Sequence, residues 1–255
     1  MKIGVIGYGM VGTAITKAFK KLGHKVYVHD IKLPDTSLAA SLDSSLVYIC
    51  VPTKQNKDGS CDTTIVRELV QSISEYGYKG TVAIKSTTEP GTTSKLQEEY
   101  RNLRIAHVPE FLRERCGYED FTENHNVLIV GTLNSKSFRD IVRSHGHYPK
   151  TVIQVKPTES ELSKYYSNSY KALRTIFSTT YGEISKHLGV DYNNVLNAFL
   201  LENVEAEEYL GYNEKFKGFG GSCLPKDVSA LNHFVEKEKL GLDIFKFIIN
   251  ENKKF

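Results

Sequence analysis

Short apolar runs of strand length alternate with longer amphipathic stretches through about residue 155. Lys2 to Ile6 is the first such run, and a helical pattern then continues through Leu22. Lys25 to His29, Leu46 to Val51, Thr81 to Lys85, Ile105 to Val108, Val127 to Val130 and Thr151 to Val155 read as further strands. Thr63 to Glu75 and Ser137 to Arg143 interrupt them with helical spacing. Strands that alternate with helices imply an α/β architecture with an open, mostly parallel sheet. The polar clusters follow strands, at the carboxyl ends where such sheets place their ligands. After Pro157 the period changes. Glu159 to Leu188 predicts a long helix stopped by Gly189, and the chain from about residue 191 is largely helical apart from one glycine-rich loop. The expected organisation is a doubly wound domain over residues 1–156 and an all-helical domain over residues 157–255. Leu162, Tyr166, Tyr170, Leu173 and Phe177 form an apolar seam along the long helix. The seam is expected to face a second copy of the chain, the alternative being burial within its own subunit.

The turn after the first strand reads Gly7-Tyr8-Gly9-Met10-Val11-Gly12. In a strand–turn–helix unit the first glycine permits the tight turn and the second admits a pyrophosphate. The third allows close helix–strand packing, and the helix N-terminus faces the phosphates. The second strand ends in Asp30, at the spacing of an acidic residue on a ribose 2′-hydroxyl. A carboxylate there repels a 2′-phosphate, so the expected cofactor is NAD, with Lys32 close by moderating the preference. Residues 1–156 are thus expected to be a Rossmann-type NAD-binding domain.

Composition adds boundaries. The 255 residues carry a net charge of +3 with 25% charged residues, too balanced to argue for nucleic acid or a membrane surface. No apolar run reaches bilayer length, and Met1-Lys2 leads straight into the first strand, so no signal peptide is expected. Cys50, Cys61, Cys116 and Cys223 make no metal-ligand spacing, which fits a reducing cytoplasm. His145 and His147 lack a carboxylate or cysteine partner in register, so they read as a solvated loop and no metal is expected.

Residues 218 to 227 read Gly-Phe-Gly-Gly-Ser-Cys-Leu-Pro-Lys-Asp. Pro225 fits the first turn of a helix, where its missing N–H costs nothing. Cys223 is then expected at a helix N-terminus, near unpaired N–H groups and Lys226, surroundings that favour thiolate over thiol. Gly220 and Gly221 let a substrate approach the backbone. The plainer alternative is a structural cysteine beside a glycine turn.

These motifs, taken with Val51-Pro52-Thr53, Lys85-Ser86-Thr87, Pro109-Glu110-Phe111-Leu112-Arg113-Glu114 and Glu161-Leu162-Ser163-Lys164-Tyr165 with Asn168, resemble the UDP-glucose/GDP-mannose dehydrogenase family over nearly the whole chain. The resemblance implies an NAD-dependent, four-electron oxidation of a nucleotide-sugar's primary alcohol to a carboxylate, as from UDP-glucose to UDP-glucuronate. It implies a nucleotide-sugar substrate and a homodimer. Cys223 would be the nucleophile, and Glu110 the general base for thioester hydrolysis, working best with its pKa raised by burial. Lys164 and Asn168, four apart on one helix face, would stabilise an oxyanion. Asp227 would orient a water or Lys164, and Thr87 would position the water or sugar. Val51, Pro52, Thr53, Thr87 and Glu114 would line the cofactor beside the glycine turn. Phe111, Leu112, Phe219 and Gly220 would line the substrate with Glu110, Lys164, Asn168 and Cys223. Singly, each polar residue also has a plain role, as the wet face of a helix, a capping turn or a helix start.

Two departures bear on function. The family ordinarily continues into a further α/β domain holding the nucleotide of the substrate, and a domain's worth of sequence is expected to be missing here. It also carries an arginine-containing stretch ahead of the cysteine loop, whereas Glu202 to Phe216 is acidic and lacks arginine. The alternatives are GDP-mannose as substrate, a two-electron β-hydroxyacid-type dehydrogenase, and a non-catalytic NAD-binding partner subunit.

Overall fold

A computed structural model describes residues 1–113, 115–202 and 211–255. In chain order the described elements are β1 (Lys2–Ile6), α1 (Met10–Lys21), β2 (Lys25–His29), α2 (Leu38–Leu42), β3 (Leu46–Ile49), α3 (Thr64–Glu75), β4 (Thr81–Ile84), α4 (Thr92–Glu99), β5 (Arg104–His107), α5 (Gly117–Thr122), β6 (Val127–Gly131), α6 (Ser135–His145), β7 (Thr151–Val155), α7 (Pro157–Leu188), α8 (Tyr192–Glu202), α9 (Leu224–Lys237) and α10 (Ile244–Asn252). The seven strands form one sheet in the order β2-β1-β3-β4-β5-β6-β7. Its pairings are parallel except β5–β6, which meet antiparallel through His107 and Gly131. The expected mostly parallel α/β sheet, followed by helices, is what the chain forms.

The central strands are continuous apolar runs because both faces of the sheet are covered. Leu46, Tyr48, Ala83 and Ala106 turn to one face, against Ile15 and Phe19 of α1, Phe121 of α5 and Ile141 of α6. Val47, Ile49, Val82, Ile84 and Ile105 turn to the other, against Val66, Val70 and Ile73 of α3 and Leu96 of α4. The residues at 66, 70 and 73 follow the spacing that puts one helix face on a core. Full burial of side chains of this size contributes about 1.5–3 kcal/mol each.

His145 departs from expectation. It ends α6, lies four residues after Ile141, and shares that helix's inward face. Its ring is buried among Phe19, Tyr48, Phe121 and His125, with centroids 5.2–5.9 Å away, and Nδ1 donates to the Ile141 carbonyl at 2.9 Å. Burial, reinforced by the charge of Lys85, holds it well below the ordinary histidine range. Only His147, beyond the Gly146 turn, is exposed.

The chain divides into two compact units, Met1–Lys54 with Asp62–Lys164, and Gln55–Cys61 with Tyr165–Phe255. The second unit packs Ala172, Ile176, Phe219, Val228 and Ile248 together, and Cys61 with Tyr165, Ala230 and Leu231. Its Gln55–Cys61 segment closes on itself through an antiparallel bridge between those two residues. The segment seats on α9, where Gln55 donates to Ser229 Oγ at 2.5 Å and His233 Nδ1 donates to the Asp58 carbonyl at 3.1 Å. Along α7 the seam residues Leu162, Tyr166, Tyr170, Leu173 and Phe177 are all exposed. Among the described residues no helix is long and apolar enough to cross a membrane.

Candidate functional site

The glycine turn is built as the spacing requires. Gly7 has φ +93°, and a Cβ there would lie 2.6 Å from the Cys50 carbonyl oxygen. A Cβ on Gly12 would run into the Gly7 carbonyl oxygen, whereas one on Gly9 would meet nothing within 4 Å. Two glycines are therefore fixed by packing, and the middle one leaves open space ahead of α1. Gly9 is the N-cap of α1 without a side-chain cap, and Met10 and Val11 open the helix. At the end of β2, Asp30 accepts from the Tyr8 N–H at 2.6 Å and the Lys32 N–H at 2.8 Å, which hold its carboxyl below the usual range. Each carboxylate oxygen keeps a second lone pair for a ribose hydroxyl. The Lys32 side chain is exposed. An uncapped helix N-terminus, an open glycine and an ionised carboxylate fit a dinucleotide.

The next strand ends lie further along the same unit. Val51 and Pro52 follow β3, with Thr53 buried, and Ser86 Oγ donates to the Val51 carbonyl at 2.7 Å. Thr87 is half-buried in the loop after β4. Beyond β5, Glu110 meets Lys164 of α7. The ammonium lies 3.0 Å from Oε1 and donates to the Glu110 carbonyl at 2.7 Å, with both side chains at most 10% exposed. Phe111 sits under that ammonium, 5.6 Å from it, and Leu112 donates its N–H to Glu110 Oε2 at 2.7 Å. Arg113 clasps Asp120 through two nitrogens and closes the loop. Glu114 lies outside the described residues.

Glu110 differs from expectation. Burial works to raise its carboxyl, but the charge and hydrogen bond of Lys164, the Leu112 N–H and the charge of Lys85 outweigh it. The net direction is below the ordinary value. It stands as a paired carboxylate rather than as a carboxyl with raised pKa.

Two residues of this unit escaped the sequence reading of the site. Glu161, fully buried one turn before Lys164, accepts from Thr88 Oγ1 at 3.1 Å, Gly91 N at 2.6 Å, Thr93 N at 2.8 Å and Thr93 Oγ1 at 2.6 Å. It ties the loop after β4 and the start of α4 to α7, which sets the register in which Lys164 reaches Glu110. Lys85 is buried over the rings of Tyr48 and Phe121 and donates to the Val108 carbonyl at 3.3 Å. Burial pulls its ammonium down to about 8. Its place in the Lys85-Ser86-Thr87 motif was the available signal for it. Glu161 likewise heads the Glu161–Tyr165 motif, but its role was not legible there because its partners are 68 to 73 residues away.

The second unit holds the rest. Cys223 is the exposed N-cap of α9, with Pro225 in the first turn as the sequence implied. Asp227 is buried in that turn. It accepts from Asn168 Nδ2 of α7 at 2.5 Å and lies 2.7 Å from the Lys226 ammonium. Phe219 is buried and Gly220 is exposed. Of the acidic stretch from Glu202 to Phe216, residues 203–210 lie outside the described ones. Among the described residues no three of His, Cys, Asp or Glu gather as a metal site. The expected site residues thus fall into two groups: Glu110 with Lys164 in one unit, and Cys223 with Asn168 and Asp227 in the other. Lys164 and Asn168 stand one turn apart on α7.

Two family models match the chain. One is the UDP-glucose/GDP-mannose dehydrogenase family, NAD binding domain, over residues 33–145; the other is the central domain of the same family, over residues 158–254. UDP-glucose 6-dehydrogenase TuaD of Bacillus subtilis is 27% identical over 99% of this chain and 63% of that protein. A UDP-glucose 6-dehydrogenase of Rickettsia prowazekii is 31% identical over 81% of this chain and 49% of its own length. The solved UDP-glucose dehydrogenase of the hyperthermophilic archaeon Pyrobaculum islandicum superposes with a TM-score of 0.89 at 27% identity, covering 99% of this chain and 68% of that one. The chain therefore spans about half to two thirds of the length of these relatives.

Proposed function

The chain belongs to the UDP-glucose/GDP-mannose dehydrogenase family, and from that premise we propose that it oxidises the C6 alcohol of a nucleotide-sugar to a carboxylate with NAD. UDP-glucose, giving UDP-glucuronate, is the substrate to test first, and GDP-mannose is the alternative. The observation that carries the reading is Cys223, exposed at the N-terminus of α9 beside exposed glycines. A two-electron dehydrogenase has no use for such a thiol.

The turn from Gly7 to Gly12, with Asp30, would hold NAD, joined by Lys32, Val51, Pro52, Thr53, Thr87 and Glu114. When bound, NAD accepts a hydride in each of the two oxidations. Cys223 as thiolate would add to the C6 aldehyde to give a thiohemiacetal, whose oxidation leaves a thioester. Lys164 and Asn168 would donate to the oxyanion at C6. Asp227 keeps the Asn168 carboxamide oriented, so that its oxygen and remaining N–H are left for other partners. Thr87 would position water or sugar. Glu110 would accept the proton of the water that hydrolyses the thioester, releasing the acid and the thiol. As Lys164 turns to the oxyanion, Glu110 loses its counter-charge and becomes more basic. Phe111, Leu112, Phe219 and Gly220 would complete the substrate surface.

The exposed α7 seam supports a homodimer, since contiguous exposed apolar surface marks an interaction face. Four free cysteines fit a reducing, cytoplasmic setting.

The test is NADH release by the purified chain given NAD with UDP-glucose or GDP-mannose, beside Cys223→Ala. Two NADH per sugar, lost in the variant, is the expected result. NAD binding without NADH release on either sugar would refute it, and would point to a subunit that binds NAD and turns over only with a partner.

A further inference from the structure

The loop that carries Cys223 has two feet in the second unit. Downstream, α9 starts at Leu224, and its first turn is tied to α7 by the Asp227–Asn168 hydrogen bond. Upstream, the stem is residues 217 to 219. Gly218 takes φ +66° and donates its N–H to Thr179 Oγ1 at 3.3 Å. The Phe219 ring is buried with Ala172, Ile176, Val228 and Ile248.

The Phe219 backbone pairs with the Asn252 side chain, from the last turn of α10. Oδ1 accepts the Phe219 N–H at 2.7 Å, and Nδ2 donates to the Phe219 carbonyl at 2.9 Å. A carboxamide presents one acceptor and one donor side by side, so it closes on a residue's N–H and C=O as a neighbouring strand would. Gly218 is matched to this pairing, because a Cβ on it would collide with Asn252 Oδ1. Between the feet Gly220, Gly221 and Ser222 are exposed, and a Cβ on either glycine would meet nothing within 4 Å. Gly221 has φ +78°. The loop is pinned at both ends and open at its tip.

We propose that Asn252 is a positioning residue for Cys223: its two-point pairing with Phe219 fixes the upstream foot of the loop and so sets where the thiol stands. The proposal rests on the reading of Cys223 as nucleophile given above. Removing the carboxamide leaves a buried N–H and C=O without partners and lets the stem drift, while the glycine turn and Asp30 are untouched.

The test compares the full chain with Asn252→Ala and with Asn252→Asp, which keeps the acceptor and loses the donor. Hydrogen exchange of the Phe219 amide should accelerate by about tenfold in N252A, with the amides of α9 unchanged. The turnover number should fall by about tenfold with the KM for NAD within about twofold, a split that general loosening would not give. N252D should lie between N252A and the parent on both scales. An unchanged Phe219 exchange rate in N252A overturns the proposal, as does accelerated exchange with turnover within about twofold of the parent. If N252A does not fold, N252D alone decides by the same criteria. A parent chain without turnover on either sugar sinks the nucleophile reading, and the iodoacetamide alkylation rate of Cys223 then tests the anchor. A rate shifted in N252D supports it, and an unshifted one overturns it.

Discussion

Lowering the pH from about 7.5 to 5 should destabilise the first unit's sheet through its buried imidazoles. His107 hydrogen-bonds Ser160 through Nδ1 at 2.9 Å and is fully buried; burial first, then the charge of Lys85, brings it down to about 3. The same two causes bring His125 down to about 4, and His145 well below the ordinary value. All three are neutral in the folded chain, and each titrates near 6.5 once unfolded. Below that pH the unfolded chain binds more protons, so this stability is present above about 6.5 and is lost as pH falls towards the folded values. Each pH unit below 6.5 removes about 1.4 kcal/mol per imidazole. By pH 5 that is about 2 kcal/mol each, so about 4 for His107 and His125, with His145 adding in the same direction. Glu161 acts oppositely: burial raises its carboxyl, so its penalty is relieved as it protonates. Against a typical domain stability of about 5–15 kcal/mol the net loss is large. Urea unfolding followed by circular dichroism at several pH values should give a midpoint that falls steadily from about 6.5 downward. A midpoint flat from pH 7.5 to 5 would refute the assignment of neutral, buried histidines, and His125→Gln should flatten the slope by about one proton.

Gly9→Ala should keep the parent's melting temperature and weaken NAD binding, because a Cβ there meets nothing in the chain. Gly12→Ala, whose Cβ would strike the Gly7 carbonyl, should lose stability first; thermal melting with and without NAD separates the two. Lys164→Met should cost about 3–5 kcal/mol by leaving Glu110 buried without its cation, and Glu110→Gln in the same chain should restore part of it, as a double-mutant cycle in urea would show. Asp30→Ala should narrow the preference for NAD over NADP, read from the two dissociation constants.

Local patterns made much of this legible. The apolar run from Leu46 to Val51 read as a strand, glycine spacing gave the turn at residues 7 to 12, and Pro225 announced the start of α9. The four-residue spacing of Lys164 and Asn168 placed them one turn apart. What escaped depends on partners far along the chain. Glu161 looks like one more polar helix residue until Thr88, Gly91 and Thr93 close on it. His145 read as part of a solvated loop because it had no metal-ligand partner in register, whereas Phe19, Tyr48 and Phe121 from distant elements bury it. The basicity of Glu110 was misjudged because burial and pairing push a carboxyl in opposite directions, and Lys164 decides between them.

The Gln55–Cys61 hairpin ties the architecture to the order of synthesis. It emerges directly after β3, yet its partners Ser229, Ala230, Leu231 and His233 follow about 170 residues later. The sheet can pair its strands as they appear, while this short arm waits for nearly the whole chain. Such long-range closure is slow and exposes its surfaces meanwhile. A fragment starting at Tyr165 would therefore lack Cys61 against Tyr165, Ala230 and Leu231, and adding the arm back as a peptide should speed that fragment's folding.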